Sequence, residues 1–150
     1  MKKHLTLKNI LITLLGVLIF IQIFSIDKSL PPTVESEDFF SDAGVPDDVK
    51  LLVKRACADC HSHNTKYPWY SNIEPVSWWL QGHIEHGRQT LNFSKWNAYE
   101  EERRSHKIEE CIEVLENRWM PMSSYVKMHP EAKLSDEENN RLIAYFQSLR

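Results

Sequence analysis

Cys57-Ala58-Asp59-Cys60-His61 is the stretch on which the fold turns. Two cysteines three positions apart lie about one helical turn from each other, so both thiols can form thioether bonds to the two vinyl groups of one haem. The histidine that follows is placed to reach the iron from the proximal side. Cys57 and Cys60 are therefore the candidate attachment residues, and His61 is the candidate axial ligand. Other chemistry is open to the same side chains. A Cys57–Cys60 disulfide would suit a thioredoxin-like redox site, but no strand pattern precedes the motif. Zinc could be held by Cys57, Cys60, His61 or His63 and a distant histidine, but no second paired-ligand motif occurs to complete a tetrahedral site.

Working outward, the periodicity is helical throughout. Pro46, Asp47 and Asp48 read as a first helical turn, with carboxylates at the positive end of the helix dipole, and Leu51, Leu52 and Val53 continue it into the motif. Glu74-Pro75 opens a second helix, in which Val76, Trp79, Leu80, His83, Ile84 and Gly87 recur on one face. A third is expected from Asn97, with Glu100 three places on as in a capping box; it buries Ile108, Cys111, Ile112 and Leu115. A fourth starts at Ser135 with Glu138 as its capping partner and Leu142, Phe146 and Leu149 as its apolar stripe. Residues 118–134, holding Pro121 and Pro130, read as the loop between the last two. No period-two pattern, internal repeat or low-complexity tract interrupts this series. The prediction is an all-α domain of four short helices over residues 46–150, small enough that a haem would supply part of its core.

Upstream, residues 10–26 carry no charge, have only Thr13, Gln22 and Ser25 as polar interruptions, and follow Lys2, Lys3, His4 and Lys8. About 17 apolar residues is the lower limit for crossing a bilayer and exceeds a typical signal-peptide stretch. No small-x-small cleavage site follows, which favours an uncleaved anchor over a removed leader. The expected organisation is a basic cytoplasmic flank (1–8), a single-pass transmembrane signal anchor (9–26), a linker (27–45) with Pro31 and Pro32, and a domain (46–150) on the periplasmic side of a bacterial inner membrane. The chain has 18 basic and 21 acidic residues, a net charge of −3, and without the first 26 residues the balance is 15 against 21, or −6. Such an acidic domain has no basic stripe for phosphates, so nucleic acid is not an expected partner; redox partner proteins, and the membrane through the N-terminal helix, are.

From Cys57 to Trp96 the run Cys-x-x-Cys-His-Ser-x-x-Thr-x-x-Pro-Trp-Tyr-Ser-Asn-Ile-x-Pro-Val-Ser-Trp, then Gly87-Arg88 and Leu91-Asn92-Phe93-Ser94-x-Trp96, resembles the bacterial haem-binding domain family related to c-type cytochromes. The similarity continues through Met120-Pro121, Tyr125, His129-Pro130 and Leu134-Ser135. It implies a membrane-tethered or periplasmic monohaem protein, with haem c and its iron as cofactor, and a small cytochrome c-like helical domain wrapped around that haem.

For the sixth iron ligand the first choice is Met120, on the loop before the last helix, where small c-type cytochromes bring in a methionine. Similar proteins have Met-Pro-Pro where this chain has Met120-Pro121-Met122, so Met122 is a rival, as are His83, Met128 and His129. Arg88 and Asn92 are candidate propionate partners, since guanidinium pairs well with carboxylate. Trp69, Tyr70, Trp78, Trp79 and Trp96 crowd a short interval and suit either a flat apolar haem wall or an ordinary core. His63, His86 and His106 sit among polar residues and read as surface groups, and Cys111 reads as a buried, inert thiol. The resulting expectation is a carrier of single electrons. The alternative is a haem-based sensor or peroxidase-like enzyme with an open or displaceable sixth position, His83 and Arg88 serving as the distal pair.

Overall fold

The computed structural model describes residues 6–150, which contain seven α-helices and no strand. In chain order these are α1 (Leu7–Ile21), α2 (Asp47–Ala56), α3 (Ala58–His61), α4 (Val76–Thr90), α5 (Glu101–Glu116), α6 (Ser123–Met128) and α7 (Asp136–Gln147). Short 3-10 turns lie at Glu35–Glu37, Trp69–Asn72, Phe93–Ala98 and Pro130–Ala132. The all-helical expectation holds. The chain divides into two compact units, one of residues up to Ser29 with Tyr67–His83, the other of Leu30–Lys66 with Ile84–Arg150.

In the first unit, α1 is 15 residues long, about 22 Å at 1.5 Å per residue, against a hydrocarbon core of about 30 Å. Among the described residues no helix is long and apolar enough to cross a membrane. This overturns the transmembrane anchor expected over 9–26, and with it the single-pass inner-membrane location; residues 1–5 of the basic flank lie outside the described residues. Gln22 is the C-cap residue of the helix, and its side chain reaches beyond it. Its amide nitrogen donates to the carbonyls of Leu18 (2.9 Å) and Glu74 (3.0 Å), and its amide oxygen accepts from the N–H of Glu74 at 3.1 Å. The indole of Trp78 donates to the carbonyl of Phe24 at 2.8 Å, and Lys28 bonds the side chain of Asn72.

The core of the second unit gathers Val49, Leu52, Val53 and Ala56 of α2, Ile108, Cys111, Ile112 and Leu115 of α5, and Leu142, Tyr145 and Phe146 of α7. The stretch expected as a linker joins them. Phe39 is fully buried, its N–H donates to the Phe93 carbonyl at 2.9 Å, and its ring meets those of Phe93, Trp96 and Tyr145 at centroid distances of 5.0–6.1 Å. An aromatic pair inside a polar segment thus finds the core that its own neighbours lack.

The helix starts agree in part. At α7, Ser135 and Glu138 form the expected capping box, though Tyr145 rather than Leu149 completes the buried face, and Leu149 is exposed. The third helix begins at Glu101, not Asn97, because Asn97 closes a 3-10 turn and donates to Asp42 at 3.1 Å instead. The expected loop of residues 118–134 contains α6. On α4 the buried positions are Ser77, Leu80, Ile84 and Gly87, whereas Val76 and Trp79 are exposed.

Candidate functional site

Cys57 ends α2 and begins α3, with φ −128° and ψ −34°, so the helical axis breaks at the first cysteine of the motif. The next turn carries Cys60 and His61 and closes at Ser62, whose hydroxyl donates back to the Ala58 carbonyl at 2.7 Å. Both motif cysteines are free thiols. Burial pushes the Cys57 thiol up to about 12, with Cys60 adding to it, and the Cys60 thiol up to about 11, with Asp59 adding to it. Both are therefore protonated at neutral pH.

His61 is held by α4. Its Nδ1 lies 3.0 Å from the Gly87 carbonyl oxygen and 3.1 Å from that of Leu91. Both partners are acceptors, so Nδ1 carries the hydrogen and Nε2 keeps its lone pair. Burial holds this imidazole below its ordinary 6.5, against the two carbonyls, which favour the charged form. A neutral ring with Nδ1–H donated to backbone is the form in which histidine ligates metals. Gly87 matters in a second way. A Cβ at this position would lie 2.7 Å from the Cys60 carbonyl oxygen, so only glycine lets α4 approach the motif this closely.

Next to the motif lies a largely apolar cavity of about 270 Å³. Cys57 and His61 line it with Val53, Leu91, Phe93, Val114 and Leu142, and so do Met120 and Cys111. Met120 is delivered by the end of α5. Arg118 adopts φ 56°, the left-handed conformation that reverses a chain after a helix, and the N–H groups of Trp119 and Met120 both reach the Val114 carbonyl, at 2.9 and 3.4 Å. The rivals are placed differently: Met122, Met128, His129 and His83 do not line the cavity. Nδ1 of His83 meets the Trp79 carbonyl at 2.9 Å, and its ring lies against that of Trp79.

Other expected site residues have structural partners. Arg88 donates from Nε to the Ser62 carbonyl (2.8 Å) and from Nη2 to Thr65 (2.9 Å), fastening the loop that leaves the motif. Asn92 is buried, with its amide nitrogen 2.9 Å from Nε2 of His63 and its oxygen accepting from the N–H of Ser94 at 3.0 Å. His63 is a correction: it is 6 % exposed rather than a surface group, because Nδ1 reaches the Pro32 carbonyl at 2.9 Å. His86 and His106 are exposed as expected. Of the aromatic group only Trp96 is buried, and none lines the cavity; Trp69, Trp78 and Trp79 are exposed. Cys111 is buried and free, its thiol pushed strongly upward by burial, and its place on the cavity wall was not visible from its helical register.

Among the described residues no three His, Cys, Asp or Glu side chains come together as a metal site, which leaves zinc without its further ligands. The donor set suits haem instead: an imidazole, a thioether and thiols around an apolar space. The model of the haem-binding domain family matches residues 16–148.

The chain belongs to the haem-binding domain family.

Searches of curated proteins and of solved structures found no match. In this haem-binding domain the apolar cavity, the fixed tautomer of His61 and the glycine contact at Gly87 all bear on the motif of residues 57–61.

Proposed function

We propose that this haem-binding domain carries one haem, attached covalently through Cys57 and Cys60 and ligated by His61 and Met120, and that it transfers single electrons to and from redox partner proteins. The observation that carries the reading is the wall of the cavity, which brings together Cys57, His61 with its Nδ1 committed to backbone, and Met120. The haem would supply an iron that changes oxidation state without transforming a substrate. The protein keeps His61 neutral and oriented, offers Met120 as a soft second donor, and surrounds both with apolar side chains that exclude water and raise the cost of net charge.

Cys57 and Cys60 fit attachment because both are free thiols in one turn of chain, Cys57 on the cavity wall and Cys60 a turn further on, each able to add sulfur and hydrogen across a vinyl double bond. Met120 on the cavity wall supports a six-coordinate iron, as a carrier needs. The proposed distal pair of a peroxidase, His83 and Arg88, is engaged with backbone and with Thr65 and does not line the cavity.

The test is an absorption spectrum of the full chain produced with a c-type maturation system, taken oxidised, reduced and under carbon monoxide, with mass spectrometry after denaturation. One haem per chain that survives denaturation, with a low-spin reduced spectrum unmoved by carbon monoxide, is the expected result. Haem lost on denaturation would remove the covalent reading, and ready carbon monoxide binding would remove the six-coordinate one.

A further inference from the structure

Asp59 lies between the two cysteines, and both of its carboxylate oxygens are engaged. Oδ2 accepts from the Tyr125 hydroxyl at 2.7 Å and Oδ1 from the N–H of Lys66 at 3.0 Å, while its backbone carbonyl accepts from the Thr65 hydroxyl at 2.6 Å. Thr65 in turn accepts from Arg88, whose Nε holds the Ser62 carbonyl. The loop leaving the motif is thereby closed on α3, and Tyr125 attaches α6 to α3 itself. The ring of Tyr125 also stacks on His129, with centroids 4.4 Å apart and planes 20° from parallel, which fixes the hydroxyl's direction.

Tyr125 follows Met120 by five residues, with α6 starting in between at Ser123. We propose that Tyr125 is a positioning residue for the sixth iron ligand: its bond to Asp59 holds α6, and with it the segment carrying Met120, against the helix that bears the attachment cysteines. This rests on the reading of Met120 as a ligand.

Three physical points carry it. A methionine side chain has three rotatable bonds and a weak donor atom, so it holds a metal only when its backbone is held for it. The acceptor of the Tyr125 hydroxyl is a carboxylate, and a neutral hydroxyl donating to a charged acceptor forms one of the stronger hydrogen bonds available. Burial and the neighbouring carboxylate both keep the Tyr125 phenol protonated, so it is always the donor. His61 has a comparable fastening in the carbonyls of Gly87 and Leu91. The two proposed ligands are thus each tied to the motif through a separate element, His61 through α4 and Met120 through α6.

The experiment compares Tyr125→Phe, Asp59→Asn and Met120→Ala in the full chain with its haem attached, reading the ferric methionine–iron charge-transfer band, carbon monoxide affinity of the reduced form, and melting temperature. Tyr125→Phe should weaken the band and raise carbon monoxide affinity about tenfold. Asp59→Asn should reproduce the change, and the double variant should add little to either single one. A lower melting temperature with an unaltered band and affinity in both variants would mean that the bond is only structural and would overturn the proposal. If Met120→Ala leaves band and affinity untouched, Met120 is not the ligand and the proposal falls with that reading. If Met120→Ala opens the iron while Tyr125→Phe and Asp59→Asn match the parent, the proposal alone falls.

Discussion

Nδ1 of His61 lies 3.0 Å from the carbonyl oxygen of Gly87, the same residue whose Cα has no room for a Cβ beside the carbonyl of Cys60. One position on α4 therefore sets both the tautomer of the histidine and the spacing between α4 and the motif.

Replacing Gly87 with Ala should force α4 and α3 apart, since a Cβ 2.7 Å from the Cys60 backbone oxygen meets main chain rather than a flexible side chain. The expected cost is about 1–3 kcal/mol, the usual range for overpacking. Chemical denaturation of the haem-free chain measures it directly. Haem incorporation should fall as well, because the acceptor for His61 moves with the helix.

Met120→Ala removes the thioether from the cavity wall without touching the motif. Covalent haem should be retained at one per chain, carbon monoxide should bind where it did not before, and the reduction potential should drop as the sulfur ligand is lost. Potentiometry and carbon monoxide titration on the same sample read both effects. An unchanged potential would leave the sixth position to another group.

Asn92 supports two buried groups at once, His63 and the N–H of Ser94. Asn92→Leu should take the partner from Nε2 of His63 and from the N–H of Ser94 and destabilise the fold by about 2 kcal/mol or more. A double variant that also replaces His63 with Leu should recover part of that loss, which a double-mutant cycle in denaturant resolves.

The capping box of α7 makes a prediction about pH. The Ser135 backbone N–H, then the Arg55 guanidinium, lower the Glu138 carboxyl from its ordinary 4.5. A carboxyl lowered in the folded state stabilises the fold above its unfolded value and ceases to do so as pH falls through the folded one. Glu138→Gln should thus be less stable than the parent at pH 7, and the gap should narrow as the pH is taken below the ordinary carboxyl range. Thermal melts of both chains across that range check it. Ser135→Ala should cost about 1 kcal/mol by removing the cap itself.

What was legible in the sequence was local. The motif places its three residues in one turn, and Ser135 and Glu138 cap a helix from within four positions of each other, so neither needs a distant partner to be recognised. What was illegible depended on partners far along the chain. Gln22, at the end of α1, bonds Glu74, 52 residues away, and no hydropathy window over 10–26 contains that fact. His63 looks polar among its neighbours but is buried by Pro32 and Asn92, each about 30 residues off. The tryptophans clustered after the motif suggest haem walls by proximity in sequence, yet the wall is built from α2, His61, the segment around Leu91, α5, Met120 and α7. The short helix α6 escaped notice because prolines at 121 and 130 bracket it and its single turn and a half shows no apolar period.

The ring of Phe39 sits in an aromatic cluster in which Phe93, Trp96 and Tyr145 come from beyond Pro46 and only Phe40 from its own segment, and its backbone is bonded to Phe93. A shortened protein begun at α2 would keep every helix around the cavity and still lack the plug between Phe93, Trp96 and Tyr145. The smallest autonomous folding piece is accordingly longer than its helices suggest: it must begin upstream of Asp38, and a protease that cuts between Phe40 and Pro46 would loosen the haem-binding unit without severing any helix.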